Sequence, residues 1–111
     1  MNIVNEELLK KMVDAIVQEV EPEQIYLFGS QARGEAREDS DVDLMVVERE
    51  PFSNERSKFQ ETNRIYKALS RFVIPIDVVL FSTDEMVKWG ESRYHIAGRC
   101  RREGRLIYDR V

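Results

Sequence analysis

Two segments of the chain limit its fold more than anything else in the sequence: 41–47 and 72–81 each carry an unbroken aliphatic face and confine their carboxylates to the other face. In extended backbone, Val42, Leu44 and Val46 face one way, and Asp41, Asp43, Met45 and Val47 the other. Likewise Ile74, Ile76, Val78 and Leu80 form one side of the second segment, with Asp77 opposite them beside Pro75 and Val79. Alternation of this kind is the mark of a strand, and an aliphatic strand face has to be covered by another layer. Pro75 places the second segment at a sheet edge or close to its own strand start. If the two strands are neighbours, Asp41, Asp43 and Asp77 converge above one surface of the sheet. Asp77, centred among aliphatic residues, is expected to be a buried carboxylate that needs compensation.

The rest of the chain supplies the covering layer. Leu8, Leu9, Met12, Val13, Ile16, Val17 and Val20 form one stripe of an amphipathic helix, with Asn5 as its cap and Glu21-Pro22-Glu23 as its stop. Gln24 to Phe28 reads as a short buried strand running into Gly29-Ser30. After Glu50-Pro51, a helix is expected over about 54–70 with Phe59, Tyr66 and Leu69 on its buried side. Ser82 to Glu85 resembles a capping box opening a helix towards Trp89. A further helix over about 92–103 stops at Gly104, and 105–109 adds a last short strand. The expected order is helix, strand, strand, helix, strand, helices, strand. This is an α+β fold with a small mixed β-sheet, helices on its aliphatic face and an open cleft on its carboxylate face.

At 111 residues, without internal repeats or low-complexity linkers, the sequence reads as a single domain over 1–111. No apolar run approaches the ~18 residues of a membrane span, and no secretory signal is apparent. A lone cysteine, Cys100, fits a reducing cytoplasm and reads as a packed thiol. Net charge is −4, which gives no reason to expect direct nucleic-acid binding. That charge is uneven: from Ser92 onward six arginines face Glu103 and Asp109, so the tail is +4 and the remainder −8. The tail is either a solvated helix face or a surface for an anionic partner or a triphosphate. His95 has no second histidine or cysteine at zinc spacing and reads as a surface or partner-contacting residue. Trp89 and Tyr94 read as core or interface.

Chemistry concentrates between Phe28 and Val47. Residues two apart on a strand are about 6.6 Å apart and point the same way, so Asp41 and Asp43 can both reach a pair of divalent ions about 3.5–4 Å apart. Oxygen-only donors favour hard ions such as Mg²⁺ or Mn²⁺. Upstream, a glycine lets the backbone come close to a ligand, and successive N–H groups with a hydroxyl can bind phosphate oxygens, as Gly29 and Ser30 could. Asp-x-Asp alone is uninformative, but a Gly-Ser pair at one fixed offset cuts its chance occurrence roughly 200-fold at about 7% usage per residue. Simpler roles stand beside these: Asp41 and Asp43 at a strand entry, Asp77 as a structural acceptor, Arg33 and Gly34 as a turn with a local salt bridge rather than a phosphate contact, and Ser40 as a turn residue.

Gly29-Ser30, ten intervening residues and Asp41-Val42-Asp43 resemble the signature of the DNA polymerase β-like nucleotidyltransferase superfamily. The fuller run FGSQARGEAREDSDVDL, with IDVV and the closing REGRLIYDR, is similar to its minimal nucleotidyltransferase (MNT) branch, which includes MntA-like antitoxins paired with HEPN toxins. The resemblance spans nearly the whole chain. It implies the nucleotidyltransferase fold and a Mg²⁺-dependent enzyme, with two ions held by Asp41, Asp43 and Asp77, and with Asp77 helping to activate a hydroxyl. It also implies that Gly29 and Ser30 hold the triphosphate of ATP, with Arg33 a further candidate for phosphate contact from the sequence; the family often has arginine where this chain has Gln31. For the antitoxins the implied reaction is transfer of AMP from ATP to a tyrosine of the HEPN toxin within a hetero-oligomer. Nucleotidyl transfer to a small molecule, as by an aminoglycoside-type nucleotidyltransferase subunit, and neutralisation of a toxin by occlusion alone are the alternatives.

Overall fold

The structure, a computed structural model, describes residues 5–34 and 41–110, except for the side chains of Ser30 and Arg33. Helix α1 spans Glu6–Val20 and starts where the Asn5 side chain accepts the Leu8 N–H at 2.7 Å. Strand β1 (Gln24–Phe28) runs directly into a five-residue helix, α2 (Gly29–Arg33). Strand β2 (Val42–Glu48) follows, then α3 (Lys58–Leu69), β3 (Ile76–Ser82), α4 (Thr83–Trp89), α5 (Ile96–Glu103) and β4 (Arg105–Asp109). Only α2 is absent from the order read in the sequence, because five residues are too few to carry a helical period.

The four strands form one mixed sheet in the order β3-β2-β1-β4. Strand β1 pairs antiparallel with β2 and β4, whereas β2 and β3 run parallel, as a crossover through α3 requires. Pro75 lies just before the edge strand β3, where its missing N–H costs no ladder bond.

The aliphatic face is the main core. Val42, Leu44 and Val46 of β2 and Val78 and Leu80 of β3 pack with Leu9, Met12, Val13 and Ile16 of α1 and Ile65 and Leu69 of α3. The opposite face is not an open cleft, as expected, but carries helices of its own. There Tyr26, Met45, Val47 and Phe81 pack with Met86 of α4 and Ala97 and Cys100 of α5. Met45 and Val47 share the aspartates' side of β2, so burying them requires a second layer on that side.

Helix α3 differs from expectation. It starts at Lys58, and its buried residues are Glu61, Ile65 and Leu69, while Phe59 is 75% exposed. Tyr66 is used for a polar contact, its hydroxyl accepting the Val78 N–H at 2.8 Å. Glu61 turns inward because Arg56 bridges it, at 3.2 Å, to the buried Glu48 at 3.0 Å.

Candidate active site

The first strand ends where its backbone must turn. Gly29 has φ +74°, a conformation that side chains with a Cβ rarely adopt, and it begins α2. A Cβ at this position would run into the Asp43 carboxylate. Asp43, half-buried, is paired in register with Phe28 of β1 on one side and with Asp77 of β3 on the other. The carboxylate of the second strand therefore rests on the glycine turn of the first.

Asp41 stands exposed just before β2, and the Val42 N–H donating to the Pro75 carbonyl at 2.9 Å ties the starts of β2 and β3 together. Asp77 is exposed as well, contrary to the expectation of a buried carboxylate, because it is the second residue of an edge strand. Its carboxyl is nevertheless held above the usual carboxylate range, first by partial burial and then by the charge of Asp41 and a hydrogen bond with it. Asp41 and Asp77 thus face each other across the mouth, sharing a hydrogen bond that is strongest when one of them holds a proton.

The donor chemistry here is that of a hard divalent cation: carboxylate oxygens only, two of them in repulsive contact. The three aspartates are not, however, drawn into one ligand set; among the described residues no three acidic, histidine or cysteine side chains are grouped closely enough to hold a metal ion. Asp41 is engaged with Asp77, and Asp43 lies against Gly29. Of the phosphate-binding candidates, Gly29 is at the mouth and the backbone of Ser30 and Arg33 belongs to α2, but the side chains of both lie outside the described residues, as does Ser40.

The other singled-out residues have structural roles. His95, half-buried, is a helix cap: its Nδ1 accepts the Ala97 N–H at 3.0 Å, and its ring stacks on Trp89 at 4.7 Å. Cys100 is a buried thiol pushed up to about 11, by burial above all, with Arg99 opposing and Asp43 and Glu103 adding to the rise. It is no nucleophile at neutral pH. What the sequence did not single out is a pocket of about 210 Å³ between Gly29 and α5, lined by Phe28, Ile96, Arg99, Cys100 and Glu103. The positive tail was the signal for it, but charge alone does not say which arginine faces the site.

A mixed sheet in this order, with a short helix springing from a Gly-Ser turn beside carboxylates at the strand mouth, defines the molecule as a nucleotidyl-transfer fold. The chain belongs to the nucleotidyltransferase domain family, whose profile matches residues 9–97. None of the curated proteins matches it. Among solved structures it is similar to a Sulfolobus solfataricus protein assigned as a nucleotidyltransferase, with 22% identity and a TM-score of 0.64 over 94% of this chain and 79% of that one. It is also similar to a chain of a toxin–antitoxin complex with AMP-PNP, at 20% identity and a TM-score of 0.55 over 90% of this chain and 72% of the other. No helix among the described residues is long and apolar enough to cross a membrane.

Proposed function

We propose that the chain is a minimal nucleotidyltransferase that moves AMP from ATP to a hydroxyl, namely a tyrosine of a HEPN-type toxin, and so acts as that toxin's antitoxin. The observation that carries the reading is the mouth itself: Asp41 and Asp77 pressed together while Asp43 rests on the Gly29 turn. Two carboxylates this close favour either a shared proton or a cation between them. With nucleotide bound, Asp41, Asp43 and Asp77, which are not gathered into one ligand set in this structure, would be drawn together to hold Mg²⁺, or Mn²⁺, which supplies charge neutralisation for the triphosphate and its leaving pyrophosphate. Gly29 and Ser30, with Arg33 in the same helix, seat the phosphates.

In the reaction the acceptor oxygen bonds to the α-phosphorus as the bond from that phosphorus to the α–β bridging oxygen breaks. Pyrophosphate leaves with the electron pair, and the hydroxyl proton passes to the Asp77 carboxylate as general base. A protein acceptor is supported by the MNT-like sequence and by the likeness to a toxin–antitoxin chain with AMP-PNP. Such an acceptor brings its own surface, and the reaction would take place in the cytoplasm.

Co-expression of the chain with the protein of the adjacent reading frame tests this. The D41N/D43N double variant should still form the complex but lose at least a hundredfold in neutralisation. Full neutralisation by that variant would establish occlusion and end the catalytic reading.

A further inference from the structure

The six arginines of the C-terminal segment are not equivalent. Arg102 donates to the carbonyls of Ser92 and Arg93 at 2.8 and 3.2 Å, and Arg110 to the carbonyl of Glu21 at 3.1 Å. Arg105 pairs with Glu6 across the fold at 2.9 Å. Each of these ties elements together. Arg99 instead lines the pocket between α5 and the Gly29 turn, its side chain 70% exposed, and its contact is with Glu103 one turn along the same helix, at 3.0 Å.

An exposed pair at this spacing holds its partners only weakly, so a stronger anion displaces the carboxylate easily. Helix α5 packs against α2 and β1, so the pocket that Arg99 lines adjoins the strand mouth. Gly29 belongs at once to the pocket wall and to the Asp43 contact. A triphosphate seated at Gly29 would therefore lie beside the guanidinium.

We propose that Arg99 binds the β- and γ-phosphates of the nucleoside triphosphate, leaving Glu103 to do so, and that Glu103 is its resting partner in the free protein. The proposal rests on the nucleotidyl-transfer reading above. The guanidinium fork matches two phosphate oxygens at once, which a carboxylate on a helix turn does not outbid. Glu103 keeps the pocket close to neutral until nucleotide arrives, and so disfavours weaker anions.

Binding of Mg·ATP, Mg·pyrophosphate and AMP to the wild type, R99A and E103Q, measured by calorimetry, tests the assignment. R99A should weaken Mg·ATP and Mg·pyrophosphate by about tenfold to a hundredfold while leaving AMP within about twofold. E103Q should tighten Mg·ATP by about twofold, the worth of the exposed pair it removes. Arg99 is exposed, so R99A keeps its fold, and its circular dichroism should match the wild type. If R99A binds Mg·ATP as the wild type does while D41N/D43N binds it weakly, Arg99 has no phosphate role and the nucleotide site stands. A wild-type protein that binds no Mg·ATP would overturn both.

Discussion

Gly29 and Glu48 mark the two ends of the central strands, and each constrains the molecule by a different force. At Gly29 the constraint is steric. Replacement by alanine places a Cβ at positive φ and against the Asp43 carboxylate, so G29A should lose about 1–3 kcal/mol of stability in urea unfolding, together with nucleotide binding. At Glu48 the constraint is electrostatic. Burial above all, with the hydrogen bond and charge of Glu61, pushes the Glu48 carboxyl up from 4.5 to about 8, against the pull of Arg56. Burial also raises Glu61, but the hydrogen bond with Glu48 and the guanidiniums of Arg64 and Arg56 outweigh it and hold that carboxyl low. The pair shares one proton. Because the folded Glu48 value is raised, its stabilising contribution is complete below 4.5 and is lost as pH rises through about 8. Urea midpoints should therefore fall across that range in the wild type, and E48Q, with no proton to lose, should flatten the decline. None of this network was legible in the sequence. Glu48 and Glu61 look like surface charges until the fold turns both towards Arg56.

Among the elements, those with a strong period or a capping signature were legible. The α1 stripe, the Asn5 cap, the Gln24–Phe28 strand and the Ser82–Glu85 capping box all stand where the residues place them, with Glu85 accepting the Ser82 N–H at 3.1 Å. Elements set by tertiary contacts were not. The N-terminus of α3 is fixed by the local Ser57 cap on Gln60 and by Lys58 bonding Glu85 of α4 at 2.9 Å, a partner that lies outside any local window. Helix α5 begins at Ile96 rather than near Ser92 because Ser92 and His95 serve as turn and cap. Its docking is tight: a Cβ on Gly98 would meet the Ser92 carbonyl oxygen, which is backbone and cannot swing away. G98A gains helix propensity of up to about 1 kcal/mol but should lose more to overpacking, for a net destabilisation of about 1–2 kcal/mol by thermal or urea unfolding. Since α5 carries both Arg99 and the buried Cys100, loosening its packing in the same variant should expose the thiol. Native wild-type Cys100 should resist iodoacetamide at neutral pH, whereas G98A should be alkylated measurably faster.

For the whole molecule, the decisive arrangement among the described residues is a sheet with helices on both faces, in which the Gly29 turn at the end of β1 lies beside the start of β2. The sequence announced the carboxylates, the glycine turn and the mixed sheet. It did not announce the second helical layer, because Met45, Val47 and Phe81 are few and shared their face with charges. That layer covers much of the carboxylate face, and its helix α5 lines a pocket with Gly29, the residue on which Asp43 rests. Under the proposed reading the acceptor hydroxyl comes from a partner surface.

Label transfer measures that claim most directly. The chain, copurified with the protein of the adjacent reading frame, is incubated with Mg²⁺ and ATP labelled at either the α- or the γ-phosphate. The proposed chemistry predicts label in the partner from the α-position, none from the γ-position, and loss of the signal in D41N/D43N. Label arriving from the γ-position, or a partner left unlabelled at long times, would contradict it.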